Sequence, residues 1–144
     1  MSSRTIKDVL DGQVLVTATG SMSVTEVARR MKKAGLSAIL ILEDRRLVGI
    51  FTEHDALFRV AAEGLDPNDT AVASVMTENP TTIGPGKPFS DALAIMHAGR
   101  FRRVPVVENL DVIGMVSSSD AMGPELEQFM YATILEDQIT DVLA

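Results

Sequence analysis

From residue 23 onward the apolar and polar positions fall into periods that read as elements. Val24, Val27, Ala28 and Met31 recur at i, i+3, i+4 and i+7, the spacing of one helix face. Ser23 with Glu26 three residues on is a capping-box pattern, and Gly35 stands where a helix end favours a left-handed residue. Ala38–Leu42 and Leu47–Phe51 are continuous apolar runs around the charged turn Glu43-Asp44-Arg45-Arg46, which predicts a buried hairpin. A helix is expected after Thr52, running to about Ala62 and stopped by Gly64. Upstream, Gln13–Thr19 alternates and predicts a short strand. Met1–Arg4 reads as a disordered start, and Thr5–Leu10 as a short docking turn with a counterpart at Ala73–Met76.

The same order then returns. Thr81-Thr82-Ile83 reads as a strand, and Phe89, Ala92, Leu93 and Met96 repeat the helical stripe behind Pro88. Val104–Val107 and Val112–Val116 flank the turn Glu108–Asp111 as a second hairpin. Gly49-Ile50-Phe51-Thr52-Glu53-His54-Asp55 is matched by Gly114-Met115-Val116-Ser117-Ser118-Ser119-Asp120, and Asp120 follows Asp55 by 65 residues. A period this long exceeds one supersecondary unit, so the repeat implies two small half-domains rather than a solenoid. The boundaries read 5–64 for the first repeat, 65–71 for a linker rich in turn formers and 72–123 for the second repeat. Residues 124–144 form a C-terminal helix or tail. After Asp120 the run Ala-Met-Gly-Pro breaks the second helix, and a last helix from Glu125 would carry Leu126, Phe129, Met130, Thr133 and Ile134 on one side.

Composition narrows the function classes. At 144 residues the chain buries roughly two-thirds of its unfolded surface, whereas halves of about sixty residues are each marginal alone. Zero cysteines exclude disulfides, thiolate nucleophiles and cysteine-ligated zinc. The longest apolar run, Ala38–Leu42, is far too short to span a bilayer, and nothing resembles a signal peptide, so no membrane role and a cytoplasmic location are expected. A net charge of −7 argues against general nucleic-acid binding. Arg100, Arg102 and Arg103 break that acidity in one place, which suits a small anionic ligand better than a polymer. The methionines of the helical stripes read as core packing.

The repeated motif has its own chemistry. A strand that ends in Thr52 or Ser117 and turns into a helix offers unpaired N–H groups and the positive end of the helix dipole to an anion. The hydroxyl either caps the helix or donates to a phosphate oxygen. Asp55 or Asp120, three residues on, is a two-oxygen acceptor that suits the paired hydroxyls of a ribose. The plainer reading of each copy alone is a capping motif.

These residues resemble a tandem pair of cystathionine β-synthase (CBS) domains, the Bateman module, over roughly residues 5–122. The likeness is carried by Leu47–Asp55, by Arg103-Val104-Pro105-Val106-Val107 through Val112–Asp120, and by Val75-Met76-Thr77. It implies an α/β (α+β) fold of two pseudo-symmetric β-α-β-β-α repeats packed sheet to sheet, with a C-terminal helix. It further implies an adenosine-containing ligand in the cleft between the repeats: most often AMP, with ADP or ATP as alternatives, and no required cofactor. Transferred residue by residue, the first site would use Thr17, Ala18, Ile39, Thr52, His54 and Asp55. The second would use Thr82, Ile83, Arg102, Arg103, Val104, Pro105, Ser117, Ser119 and Asp120. Arg102, Arg103 and Pro105 have no equivalents at Ser37, Ala38 and Leu40, so the stronger phosphate-bearing site is expected near Arg103 and Asp120. Ser117 stands where threonine is commoner in the family.

Three functions follow from this reading. The first is a stand-alone regulatory module that senses adenine nucleotide and signals through conformation or dimer packing to an unknown partner protein. An enzyme is not expected: His54 and His97 are the only histidines, and Glu53-His54-Asp55 points three ways from a helix rather than at one metal. Ser117-Ser118-Ser119 lacks a nearby base, and Gly84-Pro85-Gly86 lacks a Walker lysine. The remaining alternatives are a structural homodimerisation module with degenerate sites, or a binder of S-adenosylmethionine or NAD.

Overall fold

The apolar stripes of the two repeats are buried, and each builds its own core. The computed structural model describes residues 4–131 and 135. By contacts these residues form two units, described separately here. The first-half unit is residues 14–81 with 109–112; the second-half unit is residues 4–13, 82–108 and from 113 onward.

In the first half, β1 (Thr17–Thr19) lies parallel to β2 (Ala38–Glu43), with Thr17 opposite Leu40. The helix between them, α2 (Val24–Ala34), buries Val24, Val27 and Met31. Ser23 caps it by accepting the Glu26 N–H at 3.1 Å, and Gly35 closes it in the left-handed region at φ 70°. β2 returns as β3 (Arg46–Thr52) in the expected hairpin, whose two turn residues Asp44 and Arg45 sit at φ 49° and 68°. Positive φ at both positions is the type I′ geometry that matches strand twist. β4 (Thr77–Glu78) completes the order β1-β2-β3-β4 by pairing with Gly49 and Ile50. Val24, Val27, Met31, Ile39, Ile41, Phe51, Val60 and Val72 fill the core.

The helix after Thr52 begins as expected but loses its α period. α3 (Glu53–Asp55) is one turn, and Ala56–Ala61 continues it as a π-helix. The predicted strand at Gln13–Thr19 is shorter than its pattern: only Thr17–Thr19 pairs, and Val14 is exposed. Alternation identified a two-faced segment, but pairing with β2 starts only at Thr17, opposite Leu40.

In the second half, α1 (Ile6–Leu10) starts at Thr5, which forms a complete capping box with Asp8. It docks through backbone bonds from the Ile6 N–H to the Lys87 carbonyl (2.9 Å) and from the Lys7 N–H to the Pro85 carbonyl (3.0 Å). α4 (Phe89–Gly99) buries Phe89, Ala92, Leu93 and Met96. β5 (Arg103–Glu108) and β6 (Asp111–Ser117) form the second hairpin, again turning through two positive-φ residues, Asn109 (52°) and Leu110 (73°). The strand expected at Thr81–Ile83 is reduced to a parallel bridge from Ile83 to Val106. A 3-10 turn at Ser118–Asp120 follows β6, the backbone is extended at Ala121, and residues 124–131 resume as a helix, α5. Phe129 packs on the second core while Met130 stays exposed; Thr133 and Ile134 lie outside the described residues. No described helix is long and apolar enough to cross a membrane.

Arg4, expected in a disordered start, is instead tied down. Its guanidinium donates to the Asp120 carbonyl at 2.8 Å and to Glu125 Oε1 at 2.6 Å, and lies 5.2 Å from the Phe89 ring centroid. Those partners lie 85 to 121 residues away, beyond the reach of any local pattern.

Candidate functional site

Both copies of the repeated motif fold into the same local structure at the end of a hairpin. In the first, Thr52 ends β3 in extended backbone at φ −123°, and its hydroxyl accepts the Asp55 N–H at 3.2 Å. Asp55 Oδ2 accepts the Thr52 N–H at 3.0 Å and the Thr52 hydroxyl at 3.2 Å. In the second, Ser117 is extended at φ −132°, and Asp120 Oδ2 accepts its N–H at 2.8 Å. The Ser117 hydroxyl accepts the Ser119 N–H at 3.1 Å and lies 2.8 Å from the Ser119 hydroxyl. Each copy is a full capping box.

This geometry corrects one step of the sequence argument. The N–H groups offered to an anion are largely taken up within the protein. The Glu53 N–H donates to the Ser37 carbonyl at 3.0 Å, and its repeat counterpart, the Ser118 N–H, donates to the Arg102 carbonyl at 2.9 Å. The Asp55 N–H is held by the Thr52 hydroxyl and the Ser119 N–H by the Ser117 hydroxyl. Each turn thus spends two of its first N–H groups inside the protein. Side chains thereby gain weight over the backbone in any phosphate contact.

The second-half residues converge. The bond from Ser118 to Arg102 brings the start of β5 beside the end of β6, so Arg102 and Arg103 share one end of the hairpin with Ser117 and Asp120. Ile83 joins them through its N–H to the Pro105 carbonyl (3.1 Å) and its carbonyl to the Val107 N–H (3.0 Å). Thr82, Arg102 and Ser119 are exposed; Arg103, Ser117 and Asp120 are half-buried; Ile83, Val104 and Pro105 are buried. Apolar strand residues thus lie beneath a rim of hydroxyls, cations and one carboxylate.

The first-half residues are arranged differently. Thr17 lies half-buried on β1, while Ala18 and Ile39 are packed inside the first core. His54 is exposed and leans on Phe58, ring centroids 4.5 Å apart. Asp55 is only 3% exposed, and its Oδ1 lies 3.4 Å from Arg59 Nε. Arg59 went unnoticed in the sequence, although its i,i+4 spacing from Asp55 is the signal for such a pair.

Among the described residues no three His, Asp or Glu side chains cluster as metal ligands. A cavity of about 250 Å³ opens between α4 and α5, lined in part by Leu93, His97, Glu125 and Phe129; neither repeated motif lines it.

A family model described as the CBS domain matches residues 6–62 and again residues 72–123. The CBS domain-containing protein YhcV of Bacillus subtilis is 30% identical over 115 residues, which make up 80% of this chain and 81% of that protein. The Meiotically up-regulated gene 70 protein of Schizosaccharomyces pombe is 40% identical over 96 residues, 66% of this chain; these span only 13% of the length of that protein. Among solved structures, the CBS domain pair of protein MJ0100, in complex with 5′-methylthioadenosine and S-adenosyl-L-methionine, superposes with a TM-score of 0.73. It is 27% identical, over 83% of this chain and 93% of that one.

Proposed function

The chain belongs to the CBS-domain family, and on that premise we propose that it is a regulatory module binding an adenosyl ligand at Asp120, Ser117 and Arg103. The observation that carries the reading is the second motif: a half-exposed carboxylate, fixed by the Ser117 N–H, at the hairpin end that also bears Arg102 and Arg103. Asp120 would take the ribose diol, Ser117 and Ser119 would offer hydroxyls, and the guanidinium groups would meet phosphate in charge-assisted bonds. Val104, Pro105 and Ile83 would supply an apolar wall for adenine. AMP is the leading nucleotide, with ADP and ATP behind it. The ligands of the MJ0100 pair bring S-adenosylmethionine and 5′-methylthioadenosine into the same comparison.

The reading is regulatory rather than catalytic because the rim holds binding groups but no nucleophile paired with a base. Ligand would act by its differential affinity for two conformations or packings. A homodimer is part of the proposal, supported by Leu57 and Phe58, adjacent large apolar side chains exposed on the π-helix. A partner protein would read the change.

Thermal unfolding against AMP, ADP, ATP, S-adenosylmethionine, 5′-methylthioadenosine and NAD tests it, with Asp120→Ala in parallel. A ligand at a hundred times its Kd adds about 2.7 kcal/mol, a rise in midpoint of roughly 5 °C or more. A rise lost in Asp120→Ala identifies the ligand and its anchor. Flat curves throughout would leave a structural dimerisation module as the better reading.

A further inference from the structure

The two motifs part directly beyond their aspartates. In the first half the helix runs on through Ala56–Ala61 and returns Arg59 over Asp55, Nε to Oδ1 at 3.4 Å. The guanidinium is fixed from its other side, where Nη1 donates to the Met76 carbonyl at 3.0 Å. Because Oδ2 already accepts both the N–H and the hydroxyl of Thr52, both Asp55 oxygens are engaged. The carboxylate is buried at 3% exposure.

In the second half the corresponding position is Pro124, 65 residues after Arg59. Here the helix cannot return a cation. Ala121 is extended, Gly123 sits at φ 54°, and proline offers no donor. Arg4 approaches this motif, but it binds the Asp120 carbonyl and leaves the carboxylate alone. Asp120 is half-buried rather than buried.

A ribose diol brings two O–H donors that need acceptor capacity from the carboxylate. Asp120 can supply it, whereas Asp55 would first have to release a guanidinium and leave its own charge buried. Arg59 is half-exposed, which softens the cost. The Asp55 side chain is only 5% exposed, however, and withdrawing the cation beside a buried carboxylate is unfavourable. We propose that Arg59 holds the first motif closed to ligand, so that each chain takes one adenosyl ligand, at Asp120. Arg59 is thus the residue that sets site number. The inference rests on the adenosyl-binding reading above and extends it to occupancy.

Calorimetric titration with AMP and with S-adenosylmethionine tests it on the wild type, Arg59→Gln, Asp120→Ala and the doubles Arg59→Gln/Asp55→Asn and Arg59→Gln/Asp120→Ala. The Asp55→Asn change keeps the side-chain shape, and circular dichroism checks the fold of each variant. The expected result is one equivalent per chain for the wild type and two for Arg59→Gln, the second site at least tenfold tighter than any trace of it in the wild type. Each double variant should fall back to one equivalent. Two equivalents in the wild type, one in Arg59→Gln, or loss of all binding in Arg59→Gln would overturn the role of Arg59 while leaving the adenosyl reading intact. No binding by any folded protein would overturn both.

Discussion

Gln13 completes the edge of β6 with its side chain. Its Nε2 donates to the Met115 carbonyl and its Oε1 accepts the Met115 N–H, each at 2.9 Å. In the first half the counterpart of Gln13 is Glu78, 65 positions on, which pairs with Gly49 through the main chain of β4. One half uses a strand where the other uses an amide that mimics one. Gln13→Ala should cost about 1 kcal/mol, the worth of exposed hydrogen bonds that water can partly replace. Gly114→Ala should cost about the same, because a Cβ there would lie 2.7 Å from Gln13 Oε1 and 2.8 Å from Leu10 Cδ2. These are flexible side-chain ends that can move aside at the expense of the Gln13 bonds. Urea unfolding with unchanged m-values would show both. A neutral Gly114→Ala together with a neutral Gln13→Ala would refute a stabilising role for the Gln13 bonds.

Much of this architecture is legible in the sequence because it is local and doubled. The stripe of α2, its Ser23 cap, its Gly35 stop and both hairpins depend on neighbours within a few residues. The 65-residue repeat then turns one weak motif into two that support each other. What stayed hidden is long-range or competitive. Arg4 is fixed by Glu125, a contact no periodicity encodes. The amides at Glu53 and Ser118 were assigned to an anion, but carbonyls of Ser37 and Arg102 take them first. Register, not composition, decides that. The Asp55–Arg59 pair has the local i,i+4 spacing, but that spacing alone does not distinguish an ion pair onto a buried carboxylate from a solvated helix face.

The second hairpin should be open to stabilisation. Leu110 sits in the left-handed region at φ 73° with its side chain exposed, so its β-carbon is strained and its apolar surface unused. Left-handed backbone costs an ordinary residue roughly 1–2 kcal/mol, and glycine gives back part of that in unfolded-state entropy. Leu110→Gly creates Asn-Gly, the preferred type I′ pair. It should raise stability by about 0.5–1 kcal/mol, read as a shift of the urea midpoint. A loss would mean that Leu110 makes contacts in an assembly.

Charge at the rim should separate nucleotides from neutral adenosyl ligands. If Arg103 meets phosphate, Arg103→Met should weaken AMP about tenfold or more, since one charge-assisted bond is worth roughly 1.5–3 kcal/mol. Binding of 5′-methylthioadenosine, which has no phosphate, should be nearly unchanged. Paired calorimetric titrations give the ratio directly. Equal losses for both ligands would place Arg103 in the scaffold of the site rather than on the phosphate.

The ion pair of Arg4 with Glu125 gives the fold a specific acid sensitivity. The hydrogen bond from Arg4 holds the Glu125 carboxyl below its ordinary value of 4.5, helped by the Met122 N–H and opposed by burial. A carboxyl with a depressed folded-state pKa stabilises the protein above its unfolded value, and that contribution is lost as pH falls through the lower folded value. Asp8 is lowered in the same sense, chiefly by the Thr5 N–H and then by the Thr5 hydroxyl, so the wild type alone cannot assign the effect. The difference between the wild type and Glu125→Gln can, because Asp8 titrates in both. That difference should be less than about 1 kcal/mol, as expected for a pair partly open to solvent. It should hold steady from pH 7 to about 5, then shrink progressively as pH drops below 4.5. Arg4→Met, which removes the main donor and leaves the Met122 N–H, should reduce the pH dependence of the difference. A gap unchanged between pH 7 and pH 3 would mean that Glu125 contributes to α5 by shape and not by charge.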